Sequence, residues 1–343
     1  MHRCLHLAGL GQGRVAPNPM VGAVLVHEDR IIGEGYHQQF GGPHAEVHCI
    51  NSVARQHQHL VSASTLYVSL EPCAHVGKTP PCTQLIIDKK IPRVVVGCRD
   101  PFPLVNGKGI EILNNAGVQT EVGVLEQECK DRNQRFFHFH TNHRPYIILK
   151  WAMTADGKIA PGDKTRLLIS NERTNRLVHK WRSEEMAILV GTNTAFFDDP
   201  ELTTRLWPGN HPVRMVVDLQ LRLPSSARLF NSEARTVVFN LHQHGEKENI
   251  LYYQVTEDAS LVHQVVNALY QMNITSLIVE GGAQLLQSFI NEGLWDEARV
   301  ICNETMILGS GLPAPSLQHH AAIATDTIFT DQVRYYKNTT TTP

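Results

Sequence analysis

Three side chains far apart in the chain, one imidazole and two thiols, constrain the fold of this 343-residue sequence more than anything else in it. His44 lies in Pro43-His44-Ala45-Glu46, and the thiols in Glu71-Pro72-Cys73-Ala74-His75-Val76-Gly77-Lys78-Thr79-Pro80-Pro81-Cys82. Such a set can hold Zn²⁺ and leave its fourth position for water. To do so the chain must return residues 73–82 to His44. Local pattern favours this. Pro43 opens a helix with Val47, Ile50, Val53 and Ala54 as its apolar positions, and Pro80-Pro81 opens another with Cys82 in the first turn. Thr65 to Leu70, between them, alternates like a strand. Residues i and i+2 do not share a helix face, so His44 and Glu46 converge on one ion only if it lies off the first turn.

The length exceeds what one core usually serves, so two domains are expected, residues 1–143 and 144–343. In the first, a short helix over 1–12 precedes a hairpin of Met20–Val26 and Arg30–Tyr36. Strands follow at Arg93–Gly97 and Val118–Val122, then a charged helix from Glu126 to Phe139. The His-rich run His138 to Arg144 reads as a solvated linker. In the second, strands are expected at 146–153, 187–191, 213–219, 236–240, 251–255, 276–280 and 298–302, and helices at 171–184, 261–272 and 283–292. Alternating strands and helices give an α/β layered class in both halves.

A net charge of −2 argues against nucleic acid or an anionic membrane as partner, and no apolar run reaches the roughly 18 residues of a membrane helix. Seven scattered cysteines do not form a disulfide framework, which points to reduced thiols and a cytoplasmic setting. The N-terminus is too polar for a signal peptide, and Thr339 to Thr342 reads as a frayed end.

His-x-Glu followed by Pro-Cys and a second Cys is the arrangement of zinc nucleobase deaminases, with the carboxylate (here Glu46) as general acid and base. A structural zinc with Glu46 or His75 as fourth ligand is the alternative. Eight residues, Ala74 to Pro81, separate the cysteines where two are usual. That longer loop carries His75 and Lys78, which suits an anionic group on the substrate. Asn18, between Pro17 and Pro19, is held at a strand entrance or is an ordinary turn residue. In the second half, Glu280-Gly281-Gly282-Ala283 is either a phosphate cradle at a helix start or a tight turn. Gly191 to Arg205 is either a binding loop or a capped helix.

Pro17-Asn18-Pro19, Gly33 to His37, Pro43 to Val47, Glu71 to Cys82, Asp100-Pro101 and Gly107 to Gly109 together resemble the RibD family of bifunctional riboflavin-biosynthesis deaminase/reductases. Leu149-Lys150, Asp156 to Ala160, His179 to Arg182, Val190 to Arg205 and Val279 to Gly282 resemble its reductase half. The resemblance implies an N-terminal three-layer cytidine-deaminase-like domain and a C-terminal dihydrofolate-reductase-like α/β domain, with Zn²⁺ and NADPH as cofactors. It implies that His44, Cys73 and Cys82 bind zinc, that Glu46 shuttles protons, and that Asn18, His75 and Lys78 contact a phosphorylated pyrimidine. By the same likeness Ala152, Thr194, Asp198, Gly281, Gly282, Ala283, Gln284, Leu285 and Leu286 touch NADPH. Arg182, Leu202, Arg205 and Glu280 touch the substrate, both arginines suiting its phosphate. Lys150 is the candidate for assisting the reduced carbon. A homo-oligomer through the reductase domain is expected. The chain departs from the family's Ser-x-Trp-Ile-Thr: Arg166-Leu167-Leu168-Ile169-Ser170 places Leu168 where a Trp lies along the cofactor and Arg166 where a phosphate is within reach.

Overall fold

The structure is a computed structural model that describes residues 1–74, 80–163 and 165–340. The chain divides into two compact units, Met1–His143 and Arg144–Pro343.

The first unit runs α1 (His2–Gly9), β1 (Gly22–His27), β2 (Arg30–Tyr36), α2 (Ala45–Asn51), β3 (Thr65–Leu70), α3 (Cys82–Asp88), β4 (Arg93–Cys98), α4 (Lys108–Asn115), β5 (Gln119–Val122), α5 (Glu126–Arg132) and α6 (Gln134–Asn142). Its five-stranded sheet has the order β2-β1-β3-β4-β5. β1 is antiparallel to β2 and β3, while β3, β4 and β5 are parallel. Alternation along β1 builds three layers. Ala23 and Leu25 pack with Ala45, Cys49 and Ile50 of α2, whereas Val24 packs with Cys4 and Leu7 of α1 on the other face. α2 lies directly on β2 because Gly33 and Gly35 are there. A Cβ on Gly35 would stand 2.2 Å from the Cys49 nitrogen, so the close approach needs glycine.

Two readings of this unit are corrected. The single helix expected over 126–139 is two helices broken at Asn133. That side chain accepts from Met20 N (2.7 Å) and donates to Met20 O (2.8 Å), which ties the break to the entrance of β1. The stretch read as a linker is helical to Asn142, because Phe136 and Phe139, three residues apart, bury one face among the histidines.

The second unit runs β6 (Tyr146–Thr154), β7 (Lys158–Ala160), α7 (Glu172–Glu184), β8 (Ala187–Gly191), α8 (Thr192–Asp198), β9 (Val213–Val217), β10 (Thr236–Asn240), β11 (Gly245–Lys247), β12 (Ile250–Gln254), α9 (Leu261–Gln271), β13 (Ser276–Glu280), α10 (Ala283–Asn291), β14 (Glu297–Asn303), β15 (Leu312–Pro313), β16 (His320–Ile328) and β17 (Asp331–Asn338). A ten-stranded sheet has the order β11-β12-β10-β9-β8-β13-β6-β14-β17-β16, parallel from β12 through β14. β6 again feeds two faces. Ile147 and Leu149 join α9 and α10 in one core; Tyr146 and Ile148 join Val178 and Trp181 of α7 in the other. The Asn171 side chain starts α7 by accepting from Thr174 N (3.0 Å), a cap worth about 1 kcal/mol. The β16–β17 hairpin went unread because β16 is exposed along its length and so shows no buried–exposed alternation. Thr340 is tied down rather than frayed, its N–H and hydroxyl both donating to Asn338 Oδ1; Thr341 and Thr342 lie outside the described residues.

Candidate active sites

In the first unit the three expected ligands meet. His44 is the N-cap of α2 and Cys82 the first residue of α3, while Cys73 lies between β3 and α3. His44 Nδ1 is 3.4 Å from each sulfur, and all three donor atoms lie within 4.8 Å of one another. Ligands around tetrahedral zinc, at about 2.0–2.3 Å, stand roughly 3.6 Å apart, so this donor set fits the ion. Among the described residues no other grouping of this kind occurs. The Cys82 N–H points at Cys73 Sγ (3.3 Å), and Cys73 is held well below the usual thiol range, chiefly by the Cys82 thiol and then by His44.

Because His44 caps the helix from outside, Glu46 faces the same point from within the first turn. Glu46 is 3% exposed. Burial, then the charge of Cys73, pushes its carboxyl up to about 7; a bound cation would oppose that shift. Asn18 is held by a residue outside the expected site, His37. His37 Nδ1–H donates to Pro43 O (3.0 Å), which leaves Nε2 to accept from Asn18 Nδ2 (3.2 Å). Burial lowers the His37 pKa, which favours the neutral ring that this pairing needs. Its ring stands edge-on to His44, with centroids 5.5 Å apart. The place of His37 in the segment Gly33 to His37, one turn before Pro43, was the available signal. His75 and Lys78 lie outside the described residues.

In the second unit the candidates gather at the C-terminal ends of parallel strands, where open α/β sheets bind ligands. Glu280 ends β13 beside Lys150 of β6. Lys150 Nζ is 3.4 Å from Glu280 Oε2, and Arg182 grips the same carboxylate through Nε (2.8 Å) and a terminal nitrogen (2.7 Å). The other terminal nitrogen of Arg182 donates to Thr203 O (3.3 Å). The guanidinium of Arg182 therefore joins Glu280 to the backbone at Thr203. Arg205 is half-exposed and lies 3.3 Å from Glu201. Arg166 is exposed, and its charge is felt by both Asp198 and Arg205.

Gly281 and Gly282 have φ of +96° and +77°, and a Cβ on Gly281 would stand 3.0 Å from Thr194 Cγ2. This turn therefore needs glycine, and it presses the backbone against Thr194 at the start of α8. Ala152, Ala283 and Asp198 are partly exposed and Gln284 is exposed, while Leu168 is 73% exposed. Leu202, Leu285 and Leu286 are buried with the core, so Leu202 and Leu286 offer a ligand little beyond backbone.

Burial would raise the Glu280 carboxyl, but Arg182 and Lys150 outweigh it and hold it at about 2. His179, which has no assigned role in the sequence reading, is buried with Nδ1 unpartnered among the described residues; burial first, then Arg182 and Arg205, lowers it to about 4. Both groups bind fewer protons folded than unfolded, so both stabilise at higher pH. The His179 contribution is lost as pH falls from about 6.5 to 4, and that of Glu280 from about 4.5 to 2. All four tryptophans (151, 181, 207 and 295) lie in this unit. Tryptophan-monitored thermal midpoints should therefore fall progressively below about pH 6.5. A midpoint flat from pH 7 to 4 would contradict the assignment.

The profile for the cytidine and deoxycytidylate deaminase zinc-binding region matches residues 1–98, and that for the RibD C-terminal domain matches residues 145–328. Riboflavin biosynthesis protein RibD of Aquifex aeolicus is 41% identical over 317 residues, 91% of this chain and 88% of that protein. The chain belongs to the RibD family. A second RibD relative, from Actinobacillus pleuropneumoniae, is 37% identical over 92% of this chain and 85% of that protein. The crystal structure of a diaminohydroxyphosphoribosylaminopyrimidine deaminase/5-amino-6-(5-phosphoribosylamino)uracil reductase from Thermotoga maritima is 36% identical and superposes with a TM-score of 0.89. It covers 98% of this chain and 97% of its own. Acinetobacter baumannii RibD superposes with a TM-score of 0.88 at 30% identity, with the same coverage. Like other members of the RibD family, the chain is a bifunctional deaminase and reductase of riboflavin biosynthesis. Its fold joins a cytidine-deaminase-like unit to a RibD-type reductase unit.

Proposed function

We propose that the first unit deaminates a diaminohydroxyphosphoribosylaminopyrimidine and that the second reduces the resulting 5-amino-6-(5-phosphoribosylamino)uracil, the two substrates named for the Thermotoga maritima protein. The observation that carries the reading is the meeting of His44, Cys73 and Cys82 around one point with Glu46 buried beside it.

His44, Cys73 and Cys82 would hold the zinc, which supplies a Lewis acid that activates water at neutral pH. Glu46 takes one proton from the attacking water and gives it to the ring nitrogen, then carries the second, from the added hydroxyl, to the leaving amine. Water is consumed, a carbonyl replaces the exocyclic amine, and ammonia leaves. Asn18, oriented by His37, is placed to hydrogen-bond the pyrimidine. His75 and Lys78 belong to the same reading by their place in the loop between the cysteines.

In the second unit the turn at Gly281-Gly282 with Thr194, and the residues from Ala283 to Leu286, would hold NADPH, which supplies a hydride. Ala152, Leu168 and Asp198 would contact the same cofactor by their likeness to the family, and Leu168 offers less stacking surface than an aromatic ring. Lys150 gives a proton to the sugar oxygen released as the ribosyl carbon is reduced. Glu280 fixes Lys150 and Arg182 and accepts from the sugar hydroxyls. Arg205 binds the phosphate, beside the Leu202 backbone.

Product analysis tests the whole reading. With the diaminopyrimidine phosphate alone, the chain should release ammonia and stop at the uracil. With NADPH added, the ribitylamino product should form. Ammonia release without NADPH oxidation would leave a deaminase with a non-reducing second unit.

We further propose self-association through the reductase unit. β16, nine residues long and exposed, forms an outer edge of the ten-stranded sheet, with Ile323 half-exposed on it. Such an edge offers unpaired amides to another copy. Ile323→Lys should lower the mass measured by light scattering to that of one chain; an unchanged mass would exclude this edge.

A further inference from the structure

Glu71 has a part that neither the zinc ligands nor the proton shuttle explains. It precedes Pro72 and Cys73 and is 4% exposed. Its carboxylate accepts from four backbone N–H groups: Gly107 (2.9 Å) and Asp100 (3.2 Å) on Oε2, and Gly109 (2.9 Å) and Ile110 (3.4 Å) on Oε1. All four donors belong to residues 100–110, around the start of α4. Among the described residues no cation pairs with it, and there the four amides offset the desolvation of this carboxylate.

Cys73 is the one zinc-ligand candidate that neither lies in a helix nor caps one. Its position therefore depends on how its flanks are fixed. On one side, its carbonyl accepts from the N–H (3.3 Å) and hydroxyl (3.2 Å) of Thr83 on α3. On the other, Glu71 is bound through its side chain, and its own N–H donates to Cys98 O (3.0 Å). The segment at Gly109 presses against the intervening peptide, since a Cβ there would lie 2.1 Å from Pro72 O.

We infer that Glu71 is a positioning residue for the metal centre: it clamps the Cys73 loop to residues 100–110 and so sets the place of one sulfur. This rests on His44, Cys73 and Cys82 being the zinc ligands. Groups that orient metal ligands typically cost about 10–100-fold in affinity when removed. Glu71→Gln keeps the shape but replaces two acceptor lone pairs with an N–H₂ that faces N–H donors.

The test is zinc affinity of the full chain by competition with a chromogenic chelator, for wild type, Glu71→Gln and Glu71→Asp. Both variants should bind zinc at least tenfold more weakly, excess zinc should restore part of their ammonia release, and NADPH oxidation by the same chain should be unchanged. Affinity within twofold of wild type in either folded variant would overturn the proposal. So would loss of the first unit's fold in both variants despite added zinc, since Glu71 would then be a folding residue. A wild-type chain that binds no zinc would instead count against the ligand assignment.

Discussion

Glu46→Gln should lower ammonia release by about 10²–10⁴-fold, the range by which a positioned acid or base accelerates proton transfer. Glutamine fills the same buried space but cannot carry the proton from water to ring nitrogen and amine. Zinc content should stay at wild type, because the ligand atoms are those of His44, Cys73 and Cys82. NADPH oxidation with the uracil substrate should also be unchanged, because the reductase chemistry lies in the other compact unit. Those two controls separate a lost proton carrier from a lost fold. If zinc left together with the activity, Glu46 would be a ligand and the centre structural.

Glu280→Gln should damage both stability and reduction in the second unit. Two largely buried cations, Arg182 and Lys150, share that single carboxylate. Removing one partner of a buried ion pair typically costs about 3–5 kcal/mol, because the remaining charge is left uncompensated. The tryptophan-monitored midpoint should fall accordingly, and NADPH oxidation should drop by about 10²-fold or more if Lys150 is the proton donor. Lys150→Ala should lower reduction without that loss of stability, since Glu280 keeps the bidentate Arg182. An unchanged hydride-transfer rate in Lys150→Ala would remove Lys150 from the chemistry.

The sequence made the zinc triad legible because its chemistry needs unusual residues at helix starts, and Pro43 and Pro80-Pro81 mark those starts. The parallel strands were legible as apolar runs. What stayed hidden depends on contacts between distant segments. The break at Asn133 is set by Met20, over a hundred residues away. His37 acquires its role only through Asn18 and Pro43, and Glu71 only through amides at 100–110. The contact of Arg182 with Glu280 is equally non-local, since 98 residues separate them. The β16 strand lacks alternation because neither of its faces is buried.

Zinc-edge X-ray absorption on the zinc-loaded full chain, compared with Glu46→Gln, bears most directly on the metal centre. The account predicts two sulfur ligands, one imidazole and one further light atom, with the same spectrum in both proteins. A second imidazole, a third sulfur, or a first coordination shell that changes in Glu46→Gln would contradict it.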